Sequence, residues 1–437
     1  MPVRRYVVPV AAALLFLRLA SATAEAAGSG RLDPTFGKNG KVTTALSGVS
    51  DIFAVIQQAD GKIVAAGTVC QPSAACDVAV VRYLPDGRLD HSFGRSGTVT
   101  TDFAGGTDAG AALAIQSDGD LVVAGTAQVR GKDEFGLARY GSDGRLDPAF
   151  GRGGKVTTHF PGHGAQAAAV LVQPDGEIVV AGTTETTFVS SDFALARYQP
   201  DGSLDTTFGV GGRVRTDFTG MEDEVSAAAL QPDGRIVVAG ATFDITNGAT
   251  ADFALARYQP DGSLDPSFGS AGRVRTDFAG TSDQALAVAI QLDGRIIAAG
   301  RTETRSVFSD FALIRYRPGG RLDRSFGTGG KVETDFNVTD DFAFGVAVEA
   351  DGKIVAAGLT DPLNGAGSED FALARYTSVG TLDGGFGKNG RVTTDFGGDD
   401  EARAMLVQAD GKIVAGGLDN PNPDGSADRF AIARYLG

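Results

Sequence analysis

The sequence predicts an all-β chain, a seven-bladed β-propeller with four antiparallel strands per blade and an N-terminal outer strand that completes the C-terminal blade. Three observations lead there. The motif LD-x-x-FG begins at Leu32, Leu89, Leu146, Leu204, Leu264, Leu322 and Leu382, at spacings of 57, 57, 58, 60, 58 and 60 residues. Periods of this order mark solenoids, propellers or arrays. Each unit reads as four short strands with no convincing helix, and the two ends of the chain hold complementary fragments of one unit.

The unit from Leu264 to Gly320 gives the strands in order. LDPSFG leads through Gly272 to RVRTDF, a short alternating run, and AGTSDQ breaks it. ALAVAIQ follows as a strand of small apolar residues. Leu292-Asp293-Gly294 turns the chain, because Asp-Gly accepts the positive φ of a tight hairpin. RIIAAG is the next strand. After a variable loop comes DFALIRY, with the period of two expected of a strand. Pro318-Gly319-Gly320 turns back toward Leu322.

The first unit opens with LDPTFGKNGKVTT, an outer strand without a blade, and the last stops at RFAIARYLG, where an LD-x-x-FG strand is due. Joining them in residues 32–437 closes the ring and leaves no strand edge open. Side-chain size agrees with this order. The run before the first Asp-Gly is rich in Ala, as in AALAIQ at 111–116, AAAVLVQ at 167–173 and SAAALQ at 226–231. Seven copies converging on an axis leave room for small residues only. Phe193, Phe253 and Phe311 fall on strands farther out, where blades diverge and volume must be filled.

Composition bounds the partners. The net charge of −15 argues against nucleic acid, since phosphate binding needs clustered Lys and Arg. Residues 1–26 pair Arg4 and Arg5 with an apolar run and a small-x-small site at Ala22-Thr23-Ala24 or Ala24-Glu25-Ala26. They read as a secretory signal peptide, so the mature chain is expected to be exported, as a secreted, periplasmic or cell-surface protein. No later segment reaches membrane-spanning length. Cys70 and Cys76, the only cysteines, are expected to form a small disulfide in an oxidising compartment; a metal site would need more ligands nearby.

Recurring polar residues fall into two groups. Arg82, Arg139, Arg197, Arg257, Arg315, Arg375 and Arg434 end one strand, and Asp33, Asp90, Asp147, Asp205, Asp265, Asp323 and Asp383 begin the next. They are expected to form charge-assisted pairs within or between blades. At the opposite end stand Asp77, Glu134, Asp192, Asp252, Asp310 and Asp370, broken by Arg429, and Asp108, Asp223, Asp283, Asp341 and Asp400, broken by Ser50 and Ala165. Asp192, Asp252, Asp310, Asp223 and Asp283 are the weak candidates for holding Ca²⁺. The preferred reading is that these acids cap loops, because no compact D-x-D-x-D-G run is present; no other cofactor is indicated.

LD-x-x-FG-x-x-G, Q-x-DG-[KR]-I-V-x-AG and DFALARY together resemble the delta-60 repeats, and more distantly the NHL-type propellers. The likeness covers residues 32–437 and implies a propeller in an exported bacterial protein, with no established activity and no catalytic residue to carry over. The sequence itself leans against catalysis. It has three His: His91 replaces residues that vary between units, and His159 and His163 lie in a loop without a third ligand. The loops before DFALARY vary most, and a rigid ring would present them to a protein or glycan. The expected molecule is a monomeric, non-catalytic binding or scaffold ring. The alternatives are a hydrolase or lyase using acids and His163 at the channel mouth, or a passive envelope protein stabilised by Ca²⁺.

Overall fold

The computed structural model describes residues 28–71, 75–162, 164–187, 190–218, 222–244, 250–278, 282–303, 308–336, 340–361, 368–422 and 428–437. The signal-like segment 1–26, His163 and most of the variable loops lie outside them. Among the described residues twenty-eight strands form seven four-stranded antiparallel units, and parallel bridges from Ser191 to Glu222 and from Ala251 to Ser282 link the third blade to the fourth and the fourth to the fifth at one end. The molecule is a seven-bladed propeller. In the fourth blade the strands run Glu222–Leu230, Ile236–Asp244, Thr250–Tyr258 and Arg273–Thr276, from the axis outward. The innermost strands touch their neighbours in succession, and the first blade's touches the seventh's.

The seventh blade is built from both ends. Strands Asp399–Val407, Ile413–Asn420 and Arg429–Tyr435 come from the C-terminal region, and Lys41–Thr44 pairs antiparallel with the last, Lys41 opposite Ala433 and Thr44 opposite Phe430. Even the turn between third and fourth strands is remade across the chain break. In the sixth blade Thr377 and Thr381 close this turn through a 2.8 Å main-chain bond, with Gly380 donating to the Thr377 carbonyl at 3.0 Å. In the seventh, Leu436 donates to the Arg31 carbonyl at 2.8 Å and Gly30 to the Leu436 carbonyl at 2.7 Å. Residues 29–31 and 436–437 thus stand where 379–381 and 377–378 stand one blade earlier.

The core lies between blades. Phe193 and Leu195 of the third blade cluster with Val238, Ala254 and Tyr258 of the fourth, while Ile52, Val55 and Val81 of the first cluster with Ala404, Val414 and Ile432 of the seventh. Both faces of each middle strand are therefore covered, so third strands such as Asp370–Tyr376 are buried nearly throughout and their alternation is one of size rather than polarity.

Two sequence signatures acquire physical causes. Every innermost strand carries a one-residue bulge at the same place, between Val225 and Ala227 in the fourth blade. The bulge drives its backbone against the second strand: a Cβ on Gly240 would stand 1.8 Å from the Glu224 carbonyl oxygen. That approach explains the glycine of every x-AG segment. The LD-x-x-FG motif forms a turn ahead of the fourth strand rather than the beginning of that strand. Asp90 Oδ1 accepts the Ser92 N–H at 3.1 Å, and Gly94 has φ +52°, so the side chain competes successfully with the ladder.

Candidate functional site

At the Asp-Gly end of the ring, the seven Arg and seven Asp come together one to one. Each Arg Nε donates to the following Asp Oδ2 at 2.7–2.9 Å, from Arg82 with Asp90 round to Arg434 with Asp33. Each guanidinium also covers a buried Phe ring of the LD-x-x-FG motif, 4.6 Å from centroid for Arg434 over Phe36, adding cation–π attraction. The link between blades is a second contact: Arg197 Nη1 donates to the Pro260 carbonyl of the next blade at 2.7 Å, and Arg434 Nη1 to the Pro85 carbonyl at 2.6 Å. Gln116, Gln173 and Gln231, from the Q-x-DG segments, accept from the same guanidinium groups.

All seven of these Asp carboxyls are held below the ordinary range. For Asp90, burial alone would raise the value, but the Ser92 hydroxyl and N–H, the Arg82 guanidinium and Lys62 outweigh it and hold the carboxyl at about 2. A depressed folded value contributes stability above the unfolded one and loses it as pH falls. Asp90 alone contributes about 2 kcal/mol. The denaturant midpoint should therefore fall steeply between about pH 4 and pH 2 as seven such sites protonate; a midpoint flat over that interval would contradict the linkage.

The seven Tyr of the R-Y dipeptides form a tie that sequence reasoning missed. Each hydroxyl bonds, at 2.7–2.9 Å, the last Thr of the preceding blade's fourth strand, from Tyr140 with Thr101 to Tyr435 with Thr394. Tyr83 with Thr44 spans the closing junction. The signal was available, since a Thr recurs at the end of every KVTT or RVRT run.

At the opposite end, the two acidic series meet between blades and are joined by a third that the sequence reading passed over, the Asp of T-D-F. The groups are Asp77, Asp102 and Asp108; Asp192, Asp217 and Asp223; Asp252, Asp277 and Asp283; Asp310, Asp335 and Asp341; and Asp370, Asp395 and Asp400. In each, three carboxylate oxygens lie within 4.8 Å of one another. Most of the two predicted series lie in the end residues of strands, whereas Asp108 stands just before its strand and each T-D-F acid just after its own. Main-chain bonds between blades set them there, such as Asp400 N–H to the Glu369 carbonyl at 2.7 Å. The inner-strand acid also caps: Asp283 Oδ2 accepts the Phe278 N–H at 2.6 Å and its Oδ1 the Thr302 hydroxyl at 2.5 Å.

The junctions differ in how the charge is met. Arg215 Nε lies 2.7 Å from Asp192, and Arg275 pairs with Asp252. Between the second and third blades the group is reduced to Glu134 with His159 at 3.7 Å, Ala165 standing in the third place. At the closing junction all three acids are gone together, replaced by Arg429, Ala45 and Ser50, and Arg429 pairs with the buried Asp419. Burial, assisted by neighbouring carboxylates, pushes Asp223 up to about 6 and Asp400 up to about 8.

One cluster does not recur. The bulged residues nearest the axis are Phe53, Ala111, Ala168, Ser226, Leu286, Phe344 and Arg403. Leu286 and Phe344 pack together with Leu359. Arg403 lies 5.1 Å over Phe53, bonds Glu401 at 2.8 Å and pairs with Asp51. One arc of the inner ring is thus bulky and charged, and the other is small. Burial pushes Asp51 up to about 7, and burial with the neighbouring Glu401 raises Glu369.

Cys70 and Cys76 are joined by a disulfide at the tip of the first blade's second hairpin. His91 and His159 are exposed on separate units. Among the described residues, no helix is long and apolar enough to cross a membrane.

Fold and ties together define a closed propeller of near-identical repeats, locked by polar contacts at one end and lined by acids at the other. The chain belongs to the family described as a domain of unknown function (DUF5122) beta-propeller, whose model matches residues 58–93, 116–150, 173–208, 231–268, 291–326, 349–386 and 408–436. No curated protein matches. Among solved structures the chain is similar to an ulvan lyase of polysaccharide lyase family PL25, at 11% identity and TM-score 0.46, over 94% of this chain and 95% of that one. It is also similar to Drosophila plexin A in complex with semaphorin 1b, at 8% and 0.43, over 93% and 88%. A third is a gluconolactonase from Xanthomonas campestris, at 12% and 0.36, over 73% and 91%. Likenesses this remote carry no argument about activity.

Proposed function

We infer that the chain is an exported, non-catalytic ring that holds a protein or glycan partner on the face bearing its variable loops. The observation behind this reading is a division of labour along each blade. The recurring Arg, Asp, Tyr, Thr and Phe join strands and blades, whereas the bulged residues and the loops before DFALARY change from unit to unit. A rigid frame presenting a varied surface is the usual arrangement of a binding site. The arc of Leu286, Phe344, Phe53, Arg403 and Glu401 offers apolar and charged groups side by side. The signal-like residues 1–26, the disulfide and the likeness to delta-60 repeats of exported bacterial propellers support export.

The test is capture. Residues 28–437, immobilised, are exposed to native envelope extract and to a glycan array, beside Phe53→Ala and Leu292→Ser variants. Leu292 is 73% exposed on an Asp-Gly turn at the other end, so it serves as control. Retention should fall with Phe53→Ala and persist with Leu292→Ser. The opposite pattern, or turnover of polysaccharides or model esters by the chain, would overturn the reading.

A further inference from the structure

The seven blade junctions are equivalent by position but unequal in charge, and that inequality points to a ligand. At the closing junction the chain has lost three acids together and put a guanidinium, Arg429, in the place of one. At the junctions of the third with the fourth and the fourth with the fifth blade, Arg215 and Arg275 supply the cation. Between the sixth and seventh blades the three acids remain, and no Arg or Lys forms an ion pair with Asp370, Asp395 or Asp400 among the described residues. Lys41 Nζ approaches but donates to the Asp395 main-chain carbonyl, at 2.8 Å.

The junction of the first with the second blade, Asp77, Asp102 and Asp108, likewise has no such ion pair among the described residues, and what sets this one apart is the residue opposite its inner-strand acid. In the fifth blade the inner-strand acid Asp283 satisfies its Oδ1 with Thr302 of the neighbouring strand. In the seventh, the residue opposite Asp400 is Asp419, which cannot donate. Asp400 is 0% exposed; its Oδ2 accepts the Phe396 N–H, and its Oδ1 has no donor. It lies among Asp370, Asp395 and Asp419. A buried carboxylate oxygen facing other carboxylates and lacking a donor is a costly arrangement unless a cation completes it.

We propose that Asp370, Asp395 and Asp400 hold a Ca²⁺ ion between the sixth and seventh blades. The chemistry is that of a hard cation with oxygen ligands, and the geometry admits it. Three oxygens no more than 4.8 Å apart match the span of ligands around an ion at about 2.4 Å, and water fills the remaining positions. Mg²⁺, which demands about 2.1 Å and near-ideal octahedral geometry, would need the strands to close in. Asp370 opens the third strand of the sixth blade and Asp395 follows its fourth, while Asp400 belongs to the seventh. The ion therefore joins two blades beside the base of a variable loop. This goes beyond the partner-binding reading and does not depend on it.

The experiment is calorimetric titration of chelator-treated residues 28–437 with CaCl₂, and separately with MgCl₂, for the parent chain, Asp370→Asn/Asp395→Asn and Asp400→Asn. Any uptake at the other acidic junctions is common to all three chains, so the decisive reading is the difference. Both variants should bind one Ca²⁺ fewer per chain, or bind it at least about tenfold more weakly, and the rise in melting temperature with Ca²⁺ should shrink. Asp370 and Asp395 lie outside the core, so the double variant should keep its fold by circular dichroism; Asn at 400 can still accept the Phe396 N–H. Equal stoichiometry and affinity in all three chains, or Mg²⁺ binding as tightly as Ca²⁺, would overturn the proposal, and the capture experiment above would stand unaffected.

Discussion

Arg257→Ala should lower the unfolding free energy by about 3–5 kcal/mol, the cost of removing one partner from a buried ion pair. Arg257 is 5% exposed and Asp265 1%, so neither charge can turn to solvent. The guanidinium bonds Asp265 at 2.8 Å and Ser267 Oγ at 3.2 Å, lies 4.7 Å from the Phe268 ring centroid, and reaches the Pro318 carbonyl of the next blade. Alanine bares the Pro318 carbonyl and the ring face and takes from Asp265 its buried guanidinium, leaving it only the half-exposed Arg235 at 3.1 Å and Ser267. Lysine should recover only part of the loss, because a single ammonium cannot reproduce the planar fork. Arg257→Met with Asp265→Leu should cost less than Arg257→Ala alone, since no buried charge is then stranded. Denaturant midpoints decide; a midpoint for Arg257→Ala equal to the parent's would remove the network from the stability account. Against a net stability of about 5–15 kcal/mol, one such arginine is a large share.

Deleting residues 28–44 should abolish the closed fold. The segment supplies the fourth strand of the seventh blade, the fully buried Phe36, the Asp33 partner of Arg434 and the Thr44 partner of Tyr83. Losing a buried Phe costs about 3–5 kcal/mol, and stranding Arg434 costs a similar amount, which together approach the whole net stability. The strand Arg429–Tyr435 would also become an open edge, prone to pairing with other chains. Size-exclusion chromatography and circular dichroism should show aggregated or unfolded chain in place of the parent's folded peak. The specific control is a permuted chain in which Gly437 runs directly into Ser29 and the new ends fall in another variable loop. The bonds from Leu436 to Arg31 already copy the unbroken turn, so this chain should fold and remain monomeric. A truncated chain that stays monomeric and cooperatively folded would show that closure is dispensable.

The ring was legible because repetition exposes geometry: seven LD-x-x-FG motifs and two incomplete ends admit one closed arrangement. The Arg–Asp series was legible as well, since opposite charges recurred at a fixed spacing. What escaped were contacts whose partners lie one unit back in the chain. Tyr140 and Thr101 are 39 residues apart, and neither residue advertises a need for the other. The Asp of T-D-F was hidden in what read as the tail of a strand, so each acidic group showed two members of three. The bulge was invisible because its sign, the glycine of x-AG, sits on the partner strand.

The tyrosine ties all point the same way, from each blade to the one made before it. A chain emerging from its N-terminus can therefore complete each joint as it goes: Thr101 is in place before Tyr140 is synthesised, and Thr334 before Tyr376. One joint breaks this order. Thr44 is made early, but its strand has nothing to lie against until Arg429–Tyr435 appears, so Tyr83 must wait for the last residues of the chain. The seam between the seventh and first blades is accordingly the one joint that cannot form until segments from both ends of the chain are present together.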